Sequence, residues 1–327
     1  MKDYILYYDS GTSNTRAYLL DKDFSVKYTA KKAVGSKDSA IAGSNRVLIE
    51  GLKELYDGVL SANGLEEGDI SAIYASGMIT CAYGLKEVPH LALPLTLEGF
   101  AGSLVPFLED TCFHREIVLV PGLKTVNDDI TFVNNMRGEE IEIIGALDEL
   151  QGLGAPRDLA MILPGSHTHV TYLQGEQITD IISNFTGELF HAIRKDTILS
   201  PVLVSDGSPL DPEMVKKGYE NLKKFGFNRA LYICRAMDAF GRGTPAQRFS
   251  YGEGVIMGGV RQSLEYYCQN FWPDCRTAAL VSDEFMYQLF SILLADSPCI
   301  DRVLWLPISE GKSYGVSGLK KILRARA

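Results

Sequence analysis

Two short runs in this sequence place a glycine beside hydroxyl residues directly after an apolar stretch: Asp9-Ser10-Gly11-Thr12-Ser13 and Pro164-Gly165-Ser166. Turns of this kind suit anions. Glycine tolerates the positive φ that lets backbone N–H groups converge on a phosphate, and Thr12, Ser13 and Ser166 add hydroxyl donors. Asp9, at the end of its apolar run, could hold Mg²⁺ through water, and Arg16 could pair with a carboxylate or phosphate oxygen. Such a turn most often only reverses a chain, so its recurrence in the second half is what carries the reading. A third run, Arg137-Gly138-Glu139-Glu140, joins a guanidinium, a glycine and carboxylates. Glu139, Glu140 and Glu142 equally suit the acidic first turn of an exposed helix, worth about 0.3–1 kcal/mol each through the helix dipole. His167 and His169 alternate, which puts them on one side of a strand, where histidines are commonly structural.

The elements that must position these residues are legible as patterns. Tyr4–Tyr8, Thr15–Leu20 and Phe24–Ala30 read as three strands joined by tight turns. Helical spacing follows over residues 37–61 and stops at Asn63-Gly64, then Ile70–Ala75 reads as a fourth strand. Leu97–Leu108 reads as a helix broken at Pro106, and Glu116–Val120 as a fifth strand. After residues 152–157 the opening order returns: strand Leu159–Leu163, the glycine turn, strand Val170–Leu173, a turn at Gln174-Gly175-Glu176, and strand Gln177–Ile182. The repeated order predicts a duplicated α/β fold with one domain over 1–152 and a second over 153–327, and it predicts Gly11 and Gly165 facing one another across a central cleft.

Composition narrows the class further. The chain has 327 residues, too many for one ordinary core, with 46% hydrophobic and 22% charged residues. A formal charge of −9 argues against nucleic-acid and anionic-membrane partners, which demand a basic face. No secretory signal or membrane-length apolar run is visible, so a cytoplasmic protein is expected. The six cysteines never form a CxxC pair and read as reduced and mostly buried.

Several segments, in order, resemble one family. Asp9–Ala17, Ser76-Gly77-Met78, Asn135-Met136-Arg137-Gly138-Glu139-Glu140, Pro164-Gly165-Ser166-His167 and Thr186-Gly187-Glu188-Leu189 are similar to the 2-dehydro-3-deoxygalactonokinase family. That family belongs to the sugar kinase/actin/Hsp70 superfamily, and the resemblance implies two duplicated ribonuclease-H-like (actin-like ATPase) domains. It implies transfer of the ATP γ-phosphoryl group, with Mg²⁺, to the terminal 6-hydroxyl of 2-dehydro-3-deoxygalactonate or a close sugar acid. Such chemistry needs donors around the migrating group, a metal side, and a group that orients the attacking hydroxyl. On that basis Asp9, Glu139 and Glu140 are the catalytic candidates, with Asp9 on the metal side. Gly11, Thr12, Ser13, Arg16, Gly165, Ser166 and His167 are the phosphate candidates. Gly77, Met78, Arg137, His169, Gly187 and Glu188 are the substrate candidates, with Arg137 as a bidentate clamp for the acid.

The chain departs from the family pattern in two places. His169 and Val170 stand where relatives carry lysine and tryptophan, and Ser282-Asp283-Glu284-Phe285 stands where a glycine-rich nucleotide turn is expected. The second departure puts two carboxylates where a nucleotide would approach, so the alternative expectation is a catalytically weakened sensor of a sugar acid or nucleotide. The expected partners are a sugar acid, a nucleotide and a second copy of the chain in a homodimer.

Overall fold

The computed structural model describes residues 3–309 and 311–326. The chain divides into two compact units, one of Met1–Glu149, Glu176–Thr179 and Glu310–Ala327, the other of Leu150–Gly175 and Asp180–Ser309.

The first unit opens with β1 (Tyr4–Ser10), β2 (Thr15–Leu20) and β3 (Val26–Lys32), then α1 (Ser36–Ala42), α2 (Arg46–Asn63) and β4 (Ile70–Gly77). Next come β5 (Leu91–Ala92), α3 (Leu97–Ala101), β6 (Val105–Glu109), β7 (Arg115–Leu119), β8 (Leu123–Lys124), β9 (Asn135–Met136) and α4 (Glu139–Gly152). Its main sheet runs β3-β2-β1-β4-β7-β6, with β1 antiparallel to β2 and parallel to β4. Period-two alternation sorts β1: Leu6 and Tyr8 join a core with Leu48, Leu52 and Val59 of α2, while Tyr7 and Asp9 take the other side. Each fully buried leucine in that core is worth about 1.5–3 kcal/mol over exposure.

The second unit holds β10 (Asp158–Leu163), β11 (His167–Gln174), β12 (Gln177–Phe185) and α5 (Gly187–Asp196). It continues with α6 (Pro212–Phe225), α7 (Phe227–Ala239), α8 (Pro245–Ile256), α9 (Gly258–Asn270), β13 (Thr277–Ser282), α10 (Glu284–Leu294) and β14 (Arg302–Pro307). The sheet runs β12-β11-β10-β13-β14, again with the first strand antiparallel to the second and parallel to the fourth. The expected duplication is present as strand order and pairing sense. The last helix, α11 (Tyr314–Arg326), belongs to the first unit. No helix among the described residues is long and apolar enough to cross a membrane.

Three local expectations are corrected. The helix expected over 37–61 is two helices, because Gly43 takes a left-handed φ of 64° and caps α1. Leu97–Leu108 is a short helix followed by β6, and Pro106 is tolerated there because β6 is the edge strand of its sheet. β3 starts at Val26 rather than Phe24, since Phe24 has a φ of 64° in a turn whose Asp21 carboxylate accepts from the N–H groups of Asp23 and Ser25.

Candidate active site

The turn between β1 and β2 is built against α1. Gly11 N–H closes on the Asn14 carbonyl at 2.8 Å, and the N–H groups of Ser36 and Lys37 take the carbonyls of Gly11 and Thr12 at 3.4 and 2.9 Å. A trans peptide holds its C=O and N–H on opposite sides, so the N–H groups of Thr12 and Ser13 are directed away from α1. Both side chains are exposed, leaving their hydroxyls available to an anion. Neither Gly11 nor Gly165 lies in the left-handed region, contrary to expectation. The strained glycines of this region are Gly77, with a φ of 83°, and Gly138, with a φ of 114°. A Cβ on Gly77 would strike the Ser10 carbonyl, and one on Gly138 would lie 3.3 Å from Gly77 Cα. Strand ends β1 and β4 and the Arg137-Gly138 turn therefore meet at close backbone contact.

That contact delivers the acidic first turn of α4 to the end of β1. Asp9 carries a 3.5 Å ion pair with Arg16, its cross-strand partner, and burial raises its carboxyl against the pull of Arg16. Glu139 accepts from Arg137 N–H at 3.2 Å; burial, with the charge of Asp9 adding, pushes it up to about 7. Glu142 is pushed up to about 8, by burial first and then by Asp9 and Glu139. Glu142 lies three residues beyond Glu139 on the same helix face, the one signal by which the sequence could have marked it. These half-buried groups contradict the picture of an exposed acidic turn for Glu139 and Glu142.

Glu140 has a different place. It is fully buried, and its two oxygens accept from Gly138 N–H at 2.9 and 2.8 Å. Burial, then Glu139, hold its carboxyl well above the ordinary glutamate value. Arg137 is committed as well: it donates to Thr80 Oγ1 at 2.6 Å and to the Val88 carbonyl at 2.9 Å, and it meets His90 Nδ1 at 3.2 Å. Met78 is half-buried, directly after Gly77.

Beneath the acids, Tyr7 hydroxyl pairs with Ser76 Oγ at 2.6 Å, and Tyr7 stacks on Tyr18 with ring centroids 5.8 Å apart. Burial raises both phenols, Tyr7 strongly; Tyr18 also bonds the Ser313 side chain. Tyr7 sits two residues before Asp9 on the same strand face, a register signal not used in reading the sequence.

In the second unit, Gly165, Ser166 and His167 are exposed, and Glu188 N–H donates to the Ser166 carbonyl at 2.9 Å. A Cβ on Gly187 would strike the Gly165 carbonyl, so α5 begins in backbone contact with the turn. Thr186 is buried and bonds Thr168, Oγ1 to Oγ1, at 2.8 Å. His167 Nε2 lies 3.6 Å from Glu188 Oε2, and its ring sits 6.3 Å from that of His169, which confirms their shared side. His169 is buried and meets Ser183 Oγ at 3.2 Å; burial, then His167, lower it to about 4, so it is neutral. At the other departure, Asp283 caps α10 by accepting from Met286 N–H at 2.9 Å, and Glu284 accepts from Gln288 at 3.1 Å.

Among the described residues, no three His, Cys, Asp or Glu side chains form a metal-holding group. Asp9 and Glu139 each raise their acidic neighbours here, a repulsion that a cation placed among these carboxylates would relieve.

Two sheets of matching strand order, each with a glycine turn after its first strand, define the actin-like sugar kinase fold, and the solved structures similar to the chain share it. The family model of 2-keto-3-deoxy-galactonokinase matches residues 9–304, and the chain belongs to that family. It is 30% identical over 199 residues to a Rhizobium meliloti (strain 1021) protein named a probable 2-dehydro-3-deoxygalactonokinase, covering 59% of this chain and 56% of that one. It is 28% identical over 200 residues to the Escherichia coli (strain K12) 2-dehydro-3-deoxygalactonokinase, covering 60% of this chain and 62% of that one. These matches thus span less than two thirds of either relative. A crystal structure from Sinorhizobium meliloti that carries the 2-dehydro-3-deoxygalactonokinase name is similar over 98% of both chains, with a TM-score of 0.74 and 22% identity.

Proposed function

We propose that the chain is a cytoplasmic, ATP-dependent kinase that phosphorylates the 6-hydroxyl of 2-dehydro-3-deoxygalactonate or a closely related sugar acid. The observation that carries the reading is the gathering of Asp9, Glu139 and Glu142 beside the Gly11-Thr12-Ser13 turn, in a chain of this family.

Asp9 would hold Mg²⁺ through water, and bound Mg²⁺·ATP supplies the phosphoryl group and spreads the charge of its oxygens. The N–H and hydroxyl groups of Thr12 and Ser13, with Arg16, bind phosphate oxygens in the first unit, and Gly165, Ser166 and His167 do so in the second. Glu139, half-exposed at the start of α4, takes the proton of the attacking hydroxyl. Glu140 holds the Gly138 backbone and so fixes where Glu139 stands. Gly77 and Met78 give the sugar close approach to that carboxylate, while Gly187, Glu188 and His169 shape the second unit's turn. Asp283 is occupied as a helix cap, which supports a nucleotide reading that does not pass through that turn.

Steady-state ADP release over a panel of keto-deoxy sugar acids tests the proposal. Turnover with 2-dehydro-3-deoxygalactonate above its panel neighbours supports it. Absence of ADP release with every member rejects it.

A further inference from the structure

Resting on that reading, we propose that Lys124 recognises the carboxylate of the acceptor sugar acid. Arg137 is already committed to other partners. Both terminal nitrogens of its fork already donate to protein acceptors, Thr80, Val88 and His90, and the charges of Glu140 and Glu87 reach it. A carboxylate seeking a bidentate guanidinium would have to displace those bonds.

Lys124 is free of such ties. It is exposed, and among the described residues no hydrogen bond or ion pair holds its ammonium. The three-stranded sheet β5-β8-β9 places it opposite Asn135, so both side chains share one face, while Leu123 and Met136 are buried on the other. His90 completes the group, with Nε2 lying 3.4 Å from the Asn135 amide. Arg137 can only donate, so His90 Nδ1 accepts from it and a neutral ring carries its proton on Nε2, which donates to Asn135 with the amide oxygen turned toward the ring. The ring is neutral, since burial, Arg137 and Lys124 together lower it to about 4. The Lys124 ammonium thus stands on an exposed face beside an asparagine that His90 holds in place.

The same short segment joins this face to Glu139. Four residue steps separate Asn135 from Glu139, a span of at most about 14 Å. A six-carbon acid carries its carboxylate and its 6-hydroxyl at opposite ends; Lys124 stands across the strands from one end of this segment, and Glu139 is the other end.

The test compares wild type, Lys124→Met and Lys124→Arg, each as the full chain, with 2-dehydro-3-deoxygalactonate and with its uncharged methyl ester. Lys124→Met should raise KM for the acid by about 10- to 100-fold, with kcat within about threefold. KM for the ester should be the same in wild type and Lys124→Met, and Lys124→Arg should restore most of the acid's affinity. An unchanged KM for the acid, or an equal rise for acid and ester, overturns the assignment. Calorimetric titration of the acid separates this failure from that of the kinase reading. A wild type that binds the acid without turnover, with binding lost in Lys124→Met, retains Lys124 and rejects the kinase; no binding in either rejects both.

Discussion

In the first unit the turn after the leading strand leans on the N-terminus of α1; in the second, the equivalent turn leans on that of α5. The backbone devices match. Gly35 leaves no room for a Cβ against the Gly11 and Thr12 carbonyls, and Gly187 leaves none against Gly165. Each turn is also backed by a hydroxyl pair, Ser10 with Thr15 at 2.9 Å and Thr168 with Thr186 at 2.8 Å. The charges differ: Asp9, Glu139 and Glu142 border the first turn, His167, His169 and Glu188 the second. Duplication has preserved the contacts that seat a turn on a helix, while the side chains at strand ends and helix starts have taken different chemical roles.

The sharpest way to break this contrast is to neutralise the first turn's carboxylates. Asp9→Asn and Glu139→Gln should each lower kcat by about 10²–10⁴-fold in the ADP-release assay. Thermal unfolding should show equal or higher stability, because burial disfavours both charges. Losses below tenfold in both would leave the first turn with no more chemistry than the second.

A sealed carboxylate in the second unit offers a smaller effect of another kind. Glu253 is buried with Oε2 unpartnered, and burial, opposed by Arg194, pushes it up to about 8. The folded chain therefore holds a proton there that the unfolded chain releases near pH 4–5. Stability should fall as pH rises from about 5 to about 8, with this group contributing up to about 1.4 kcal/mol per pH unit. Urea unfolding of Glu253→Gln across that window should show a flatter slope than wild type; an identical slope would remove the group from the account.

The glycines give the finest test. Gly187→Ala and Gly35→Ala should each cost about 1–3 kcal/mol, since the new methyl group meets backbone oxygen. Gly11→Ala, whose Cβ would meet only the Asn14 carbonyl at 3.4 Å, should stay within about 0.5 kcal/mol. Equal losses at all three, measured by denaturant unfolding, would show that the turns are held by something other than these contacts.

The same glycines mark what the sequence could reveal. Strand alternation and turn residues exposed both repeats, because those signals are local: Thr15–Leu20 is the strand the pattern predicts. The motif glycines Gly11 and Gly165 drew attention through their hydroxyl neighbours, yet the positive φ falls at Gly77 and Gly138, where separate segments collide. Such collisions are tertiary and leave no periodicity. Glu140 and Arg137 sat correctly in a chemical run, but only coordinates reveal that backbone and neighbours consume their bonding capacity. Lys124, in one two-residue strand, and His90, directly before another, were invisible, since strands that short show no pattern.

Helix α11 carries a further consequence. Gly318 leaves no room for a Cβ against the Ile141 carbonyl, Gly145 leaves none against Tyr314, and Gly315 would press a Cβ onto the Tyr7 hydroxyl. The half of the chain made first is thus closed over by a helix made after Leu150–Ser309. At about 5–20 residues per second on the ribosome, the wait is on the order of ten seconds or more. Until then Tyr7 and the side of α4 at Ile141 and Gly145 lack the helix that covers them in the folded chain. The second half, continuous apart from a four-residue excursion, can mature earlier, so the order of maturation runs against the order of translation.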